Sequence, residues 1–364
     1  MKILMSGAHL TPALAMIDHI KQHHQDDEVF FVGRLYSQEK LKQKAVEKDE
    51  VESRGVTFIP FRALKFVNYG LLARLQTIVT FPQVVLQARH ILQKHQIDVF
   101  LSFGSYLAVP FALAAKSLGI KVVTHEQTFA MGKANQFIAC FADKVALSYI
   151  ETREYLSRPD AVITGNPIRL GKNKKRPAWL KNLDKPLLLI MGGNQGSFLI
   201  NDMIAAHLET LLKDYVVVHQ CGRSNQLKDS AKELNNLRDR LPADLADRYY
   251  IQEWIKEEDL FWLYEQTFFA ISRSGANAVL ELSMAAVPAI LIPLANTHNQ
   301  EQLRNAQLME RRQGAVIIEQ DFFNDNTFLQ SLSYMKQQAA GMHEQLKRLN
   351  LPNDATAKLY QLLL

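Results

Sequence analysis

Residues 268–293 read Phe268-Phe-Ala-Ile-Ser272, then Arg273-Ser274-Gly275-Ala276, then Asn277-Ala-Val-Leu-Glu281-Leu-Ser-Met-Ala-Ala-Val287, then Pro288-Ala-Ile-Leu-Ile-Pro293. Two short apolar runs flank a turn of small residues and one amphipathic stretch. That is a buried strand, a tight turn, a helix and a second buried strand, the unit from which parallel sheets are built. Ser274, Gly275 and Ala276 open the helix without a bulky side chain. Backbone N–H groups therefore stand at its positive end, an arrangement suited to a phosphate. Glu281 follows roughly one and a half turns later, at a distance where a carboxylate accepts hydrogen bonds from ribose hydroxyls. The block reads as a holder for a nucleotide diphosphate.

The same alternation runs outward in both directions. Strands are expected at Ile3–Met5, Val29–Val32, Val56–Pro60, Val99–Ser102, Val122–His125 and Lys144–Leu147, with helices at Pro12–His23, 70–94, 109–118 and 133–141. Gly171-Lys-Asn-Lys-Lys-Arg-Pro-Ala178 is basic and has no apolar period, so it reads as a linker. The pattern then restarts with strands at Leu187–Met191, Val216–His219, 249–251 and 315–319, and helices at 198–212 and 325–346. The expected architecture is α/β: two Rossmann-like, doubly wound parallel-sheet domains facing a central cleft. Boundaries are expected at 1–166, 167–185 for the linker, 186–346, and 347–364 for a terminal helix.

Composition narrows the function. The 364 residues are 48% hydrophobic and 22% charged, with net charge +5 and pI near 9.0. A basic surplus favours an anionic ligand or membrane surface as readily as simple solubility. Nucleic acid is disfavoured, because Lys and Arg form no stripe interleaved with aromatics. Cys140 and Cys221 have no metal-ligand spacing, as expected in a reducing cytoplasm. The apolar run at 2–5 is too short for a signal peptide, and no stretch reaches the length of a membrane span.

Several loops carry candidate chemistry. Ser6-Gly7-Ala8-His9 follows the first strand, where His9 is a candidate general base or a capping histidine. His125-Glu126-Gln127-Thr128 ends a buried strand, as a base, a substrate contact or a brace. Gly165-Asn166-Pro167-Ile168-Arg169 precedes the linker, and Arg169 is a candidate diphosphate ligand. Met191-Gly192-Gly193-Asn194-Gln195-Gly196-Ser197 permits close backbone approach to a ligand, although tight turns use glycine anyway. His298-Asn-Gln-Glu301-Gln302-Leu-Arg304-Asn305-Ala306 is amide-rich and suits sugar hydroxyls. Residues 61–86 mix Phe61, Phe66, Tyr69, Leu72 and Phe81 with Arg62, Lys65 and Arg74, fitting a membrane-facing surface or a packing helix.

In this order the motifs resemble the MurG family, the lipid II synthases of peptidoglycan synthesis. The anchors are His9-Leu-Thr-Pro12, Gly119 through Gln127, Gly165 through Arg169, Gly192 through Gly196, Arg273 through Glu281, and Asn305-Ala306. The resemblance implies a GT-B fold and inverting transfer of GlcNAc from UDP-GlcNAc to the C4 hydroxyl of MurNAc in undecaprenyl-diphosphate-MurNAc-pentapeptide, lipid I. It implies uridine at the backbone of Ile255 and ribose at Glu281. The diphosphate would meet the helix start at Ala276, Asn277, Ala278, Val279 and Leu280, with Arg169 and Asn194. Gln302 would meet GlcNAc. Ser6, Gly7, Ala8 and Thr128 count among the donor contacts, and the first loop is also expected to cradle the acceptor diphosphate. His9 and Glu126 are the catalytic candidates.

The N-terminal domain would bind acceptor and membrane, the second the donor, and the terminal helix would pack back on the first. No metal site is expected, and no DxD clamp stands at a strand end; a divalent cation travelling with the substrate is compatible. The implied location is peripheral, on the cytoplasmic face of an anionic inner leaflet. The chain departs from the family in a first loop shorter than Gly-Gly-Thr-Gly-Gly-His, in Thr128 and Asn194 where the family usually has Asn and Ser, and in Glu301 for Gln. The alternatives are a GT-B transferase with another lipid acceptor, a UDP-GlcNAc 2-epimerase and a silent binding subunit. An NAD oxidoreductase lacks its GxGxxG after the first strand.

Overall fold

The computed structural model describes the backbone of every residue except 8–9, 35, 39–42, 45, 62–70, 169–174, 194–195, 223–228, 296 and 298–299; no side chain is described for 36–38, 43–44, 46 and 71–79. The chain divides into two compact units, Met1–Arg169 with Pro352–Leu364, and Leu170–Leu351.

The strands of the first unit are β1 (Lys2–Ser6), β2 (Glu28–Gly33), β3 (Tyr36–Gln38), β4 (Gln43–Lys44), β5 (Thr57–Pro60), β6 (Val99–Ser102), β7 (Lys121–Glu126), β8 (Lys144–Leu147) and β9 (Val162–Ile163). Its helices are α1 (Leu10–His23), α2 (Val46–Glu52), α3 (Leu71–Lys94), α4 (Ala108–Ser117) and α5 (Lys133–Ala139). Seven strands form a sheet in the order β5-β2-β1-β6-β7-β8-β9, parallel at every pair. Strand side chains alternate between faces. Ile3, Met5, Phe31 and Leu101 pack on one side with Leu14 and Ile17 of α1, whereas Leu4, Phe30 and Phe100 pack on the other with Leu92 of α3 and Phe111 of α4. Helices on both faces explain why Ile3–Met5 of β1 and Val99–Leu101 of β6 are unbroken apolar runs.

The second unit holds β10 (Leu187–Met191), β11 (Val216–Gln220), β12 (Tyr249–Gln252), β13 (Thr267–Ser272), β14 (Ala289–Leu291) and β15 (Ala315–Ile317). Between and after them lie α6 (Phe198–Ala206), α7 (Leu208–Asp214), α8 (Ser230–Arg238), α9 (Ala243–Ala246), α10 (Glu257–Gln266), α11 (Ala276–Met284), α12 (Glu301–Arg311) and α13 (Asp325–Arg348). The sheet order is β12-β11-β10-β13-β14-β15, again all parallel. Leu188, Ile190, Val217 and Ile271 face α6, α7 and α13, and Leu187, Leu189, Val218 and Ala270 face α10 to α12. The single helix expected over 198–212 is two helices. The chain leaves helical geometry at His207, with φ −112° and ψ 13°, and that imidazole lies 2.8 Å from Asp325 Oδ1 at the start of α13.

The last helix, α14 (Ala355–Gln361), belongs to the first unit. Leu359, Tyr360 and Leu363 are buried in the α1 side of its core. Tyr360 Oη donates to Asp27 Oδ2 at 2.5 Å, beside the N-terminal ammonium on Asp27 Oδ1 at 2.6 Å.

Each sheet has one switch point. In the first unit the chain runs outward from β1 through β2 to β5, then returns to β6 on the other side. In the second it runs from β10 through β11 to β12, then returns to β13. In doubly wound sheets the loops leaving the two strands at such a point diverge, and the carboxyl ends there are the usual ligand position. The sequence-identified loops at 6–9, 192–197 and 273–276 leave those strands.

Candidate active site

In the first unit, Ser6 ends β1 with its hydroxyl buried and no partner among the described residues. Gly7 is packed against the loop after β6: a Cβ there would lie 2.6 Å from Phe103 Cβ, so any larger residue displaces one strand end. Ala8 and His9 lie outside the described residues.

Glu126, the last residue of β7, is 4% exposed. Its Oε1 accepts from the Thr128 amide at 3.0 Å and lies 2.8 Å from the Thr128 hydroxyl. Its Oε2 accepts from the Gly132 amide at 3.0 Å and from Asn135 Nδ2 at 2.9 Å. The Thr128 hydroxyl is also 2.8 Å from Ala130 O, and its single proton serves one acceptor at a time. Both carboxylate oxygens are thus engaged by the segment 128–135. This geometry makes Glu126 the pin of the β7–α5 connection. Asn135 is the second pin, since it also donates to His125 O at 3.1 Å and accepts from Thr124 Oγ1 at 2.9 Å.

In the second unit the glycines after β10 are required by space. A Cβ on Gly192 would strike the Ser197 amide, and one on Gly196 (φ +75°) the Cys221 carbonyl. Ser197 caps α6, its hydroxyl 3.5 Å from the Ile200 amide. Arg273 spans the switch point. Its Nε and Nη2 donate to Ser197 Oγ at 3.2 and 3.0 Å, and Nη1 to Ile292 O at 3.2 Å. Burial lowers its pKa. Asn194 and Arg169 lie outside the described residues.

The start of α11 carries no side-chain cap; Gly275 precedes it with φ −62° and ψ 148°. The first N–H groups of a helix have no partner within it, so Ala276, Asn277 and Ala278 present donors and the positive end of the helix dipole. Val279 is buried in the core below, whereas Leu280 and Glu281 are half-buried. Asn305 of α12, fully buried, donates to Ser274 O at 3.1 Å and fixes the approach to α11.

Glu281 Oε2 accepts from the phenol of Tyr264 at 2.9 Å. Burial first, and the neighbouring carboxylate second, push that phenol well above its usual value, so Tyr264 keeps its proton and donates it. Ile255 is buried and its amide donates to Gln220 Oε1 at 3.1 Å. Gln302 Oε1 accepts from the Leu294 amide at 2.9 Å, which holds the side chain over the β14–α12 loop.

The structure therefore joins Ser197, Arg273, Ser274 and Asn305 through direct bonds, with Glu281 reached along α11. Ile255 joins through Gln220. Sequence reasoning missed three partners: Asn135, Gln220 and Tyr264. Gln220 closes a buried strand as Glu126 does, and that same signal applied there finds it. Tyr264 has the spacing of a core aromatic on α10 and offers no such signal. Among the described residues no cluster of three His, Cys, Asp or Glu side chains is disposed to hold a metal, and no helix is long and apolar enough to cross a membrane.

Comparison with known proteins matches these two halves separately. The glycosyltransferase family 28 N-terminal domain matches residues 6–147 and the family's C-terminal domain residues 187–355. The chain is 33% identical over 341 residues to the UDP-N-acetylglucosamine–N-acetylmuramyl-(pentapeptide) pyrophosphoryl-undecaprenol N-acetylglucosamine transferase of Lachnospira eligens, covering 90% of this chain and 89% of that one. The crystal structure of Acinetobacter baumannii MurG aligns over 99% of both chains with TM-score 0.74 at 22% identity. UDP-GlcNAc 2-epimerase from Neisseria meningitidis, solved with UDP-GlcNAc, aligns over 100% of this chain and 99% of that one, with TM-score 0.65 at 12% identity. The structural likenesses identify the fold as GT-B and do not separate transferase from epimerase. The sequence does separate them: a relative 33% identical along 90% of the chain means that the protein belongs to the MurG family of glycosyltransferases.

Proposed function

We propose that the protein transfers GlcNAc from UDP-GlcNAc, with inversion, to the C4 hydroxyl of MurNAc in undecaprenyl-diphosphate-MurNAc-pentapeptide, forming lipid II for peptidoglycan synthesis. The observation that carries this reading is the uncapped start of α11 at the β10–β13 switch point, with Glu281 presented by Tyr264. The diphosphate takes the N–H groups of Ala276 to Ala278, with Arg169 and Asn194, whereas the Val279 N–H, expected to join them, already donates to Gly275 O at 3.0 Å; Glu281 takes the ribose hydroxyls. Uracil reads the backbone of Ile255, and Gln302 meets the sugar.

The reaction is one displacement. The acceptor oxygen bonds to C1 of GlcNAc as the C1–O bond to UDP breaks. The acceptor proton passes to a base, assigned to His9, and the leaving UDP gains negative charge. The positive end of α11 and its N–H groups are preorganised toward that charge, so they stabilise the transition state more than the ground state. Glu126 positions the β7–α5 connection; its bonds support that role over proton transfer.

The acceptor is lipid-borne, and the protein works peripherally at the cytoplasmic face of the membrane. A cavity of about 520 Å³ lined by Pro60, Phe61, Leu86, Gln87, His90 and Ile91, with Leu86 64% exposed, supports an apolar contact on the first unit.

The test is incubation with UDP-GlcNAc with and without lipid I, following UDP and disaccharide together. The expected result is UDP release only with lipid I, with equal disaccharide. UDP release that ignores lipid I would overturn the assigned acceptor. His9→Ala is expected to lower kcat with little change in KM for UDP-GlcNAc.

A further inference from the structure

His219 interrupts an apolar strand, Val216-Val-Val-His219-Gln220. Its imidazole is fully buried, and burial pushes it down to about 3, so it is neutral. Both ring nitrogens have partners. Nδ1 lies 2.8 Å from Tyr249 Oη on the adjacent strand β12, and Nε2 lies 3.0 Å from Asn201 Oδ1 in the first turn of α6. Asn201 Nδ2 lies 3.0 Å from the Cys221 carbonyl.

The proton direction is fixed from one end. A carbonyl only accepts, so Asn201 turns its NH2 toward Cys221 and its oxygen toward His219. His219 therefore donates from Nε2 and accepts at Nδ1 from the Tyr249 hydroxyl. A single tautomer satisfies every member. A buried polar chain that is fully satisfied holds one geometry, whereas an apolar residue in this strand would hold none.

That geometry reaches the loop after β10. Gly196 packs directly on the Cys221 carbonyl and on Gly222 Cα, with no room for a Cβ. Ser197, next in the chain, accepts from Arg273, and its carbonyl accepts from the Asn201 amide at 2.9 Å. Asn201 thus holds the Cys221–Gly222 turn from one side while belonging to the helix that Ser197 begins. The relay closes a ring: strand β11, the turn after it, Gly196-Ser197, and α6.

We propose that His219 is a positioning residue for the donor site, acting through Asn201 to set the height at which Gly196 and Ser197 stand beside the nucleotide diphosphate. This rests on the donor-site reading above. The arm that matters is Nε2 to Asn201; the Tyr249 arm serves only to satisfy Nδ1.

The two amide substitutions separate these arms, because glutamine reproduces the reach of Nε2 and asparagine that of Nδ1. The measurements on the full chain are amide hydrogen exchange at Gly196 and Ser197 without ligand, UDP affinity by calorimetry, and steady-state kinetics. In His219→Asn and Asn201→Ala, exchange is expected to quicken and both the Kd for UDP and the KM for UDP-GlcNAc to rise by about tenfold, with kcat within about twofold. His219→Gln and Tyr249→Phe are expected to stay within about threefold of the parent in both.

A role in stability alone predicts that His219→Asn and His219→Gln behave alike toward UDP, and that result overturns the proposal. Unchanged exchange at Gly196 and Ser197 in Asn201→Ala overturns it equally, even if His219→Asn does not fold. If the parent protein binds no UDP, the donor-site reading fails, while the exchange rates still decide whether the relay sets the loop.

Discussion

Two glutamates at comparable places in the two units are used in opposite ways. Glu126 ends a central strand of the first sheet and is buried, with both oxygens engaged by Thr128, Gly132 and Asn135. Glu281 sits on the helix after a central strand of the second sheet, is half-buried, and is aligned by the Tyr264 phenol. The scaffold is the same, a parallel sheet with a switch point. The first carboxylate is turned inward to fix a loop, and the second stays half-buried on α11, where the proposed function assigns it the ribose. Residue type is shared, so the number and origin of the donors decide the role.

The largest expected effect breaks that contrast if it is wrong. Glu126→Leu leaves the Thr128 and Gly132 amides and Asn135 Nδ2 without their acceptor in a buried site. Unsatisfied buried donors cost about 1–3 kcal/mol each, and relaxation brings the expected loss to about 3–5 kcal/mol. Guanidinium unfolding measures it. A variant as stable as the parent, with kcat destroyed, returns Glu126 to the chemistry.

Glu281→Ala is the mirror experiment, with the next largest effect. Hydrogen bonds to a charged group are worth about 1.5–3 kcal/mol, so KM for UDP-GlcNAc is expected to rise about 10- to 100-fold, while stability falls by about 1–3 kcal/mol because the buried Tyr264 hydroxyl loses its acceptor. An unchanged KM removes Glu281 from the ribose.

Acid sharpens the contrast between units. His219, in the second unit, has a value near 3 in the folded protein against 6.5 unfolded. The unfolded chain therefore takes up the proton first. Stability from this group is complete above about pH 6.5 and drains away as pH falls toward 3. At pH 5 the loss is about 2 kcal/mol. Unfolding of the parent and of His219→Gln at pH 7.5 and 5 measures it, and limited proteolysis is expected to open the second unit first. Equal acid losses in the two proteins would show that the imidazole does not carry the effect.

The fold was legible because the physics is local. Leu187–Met191 and Val216–Val218 are apolar at every position, which only a sheet covered on both faces allows, and Gly192 and Gly196 mark a turn that tolerates no Cβ. The break at His207 was not legible, since residues 198–212 keep an apolar period through it. Glu126 was visible as a polar residue at a strand end, but its donors come from the β7–α5 connection and from Asn135 of α5, and no spacing rule announces Asn135. Gln220 carries the same strand-end signal but was missed, because the expected strand stopped one residue short of it, at His219. Tyr264 was invisible: its partner stands 17 positions away on another helix, and Phe261-x-x-Tyr264 reads as core. His9, Arg169 and Asn194 lie outside the described residues, so the acceptor loop rests on sequence alone.

Tyr264→Phe has the smallest expected effect and tests the contrast most finely. Phenylalanine fills the same volume, and the hydroxyl's partners are Glu281 at 2.9 Å and the Met191 sulfur at 3.9 Å. Stability should change by less than about 1 kcal/mol, because removing a buried hydroxyl also removes its desolvation cost. Glu281 stays half-buried and is still solvated, but it loses the bond that selects its rotamer. The expected rise in KM for UDP-GlcNAc is about fivefold, about 1 kcal/mol, with kcat unchanged. The effect should not vary with pH across the neutral range, since Tyr264 holds its proton well above its usual value. Combining the change with Glu281→Gln adds a sharper condition. If the phenol acts through the carboxylate, the double variant should be no worse than Glu281→Gln alone. Additive losses would mean that Tyr264 serves the nucleotide by another route, and that Glu281 is held in place by its helix rather than by its partner.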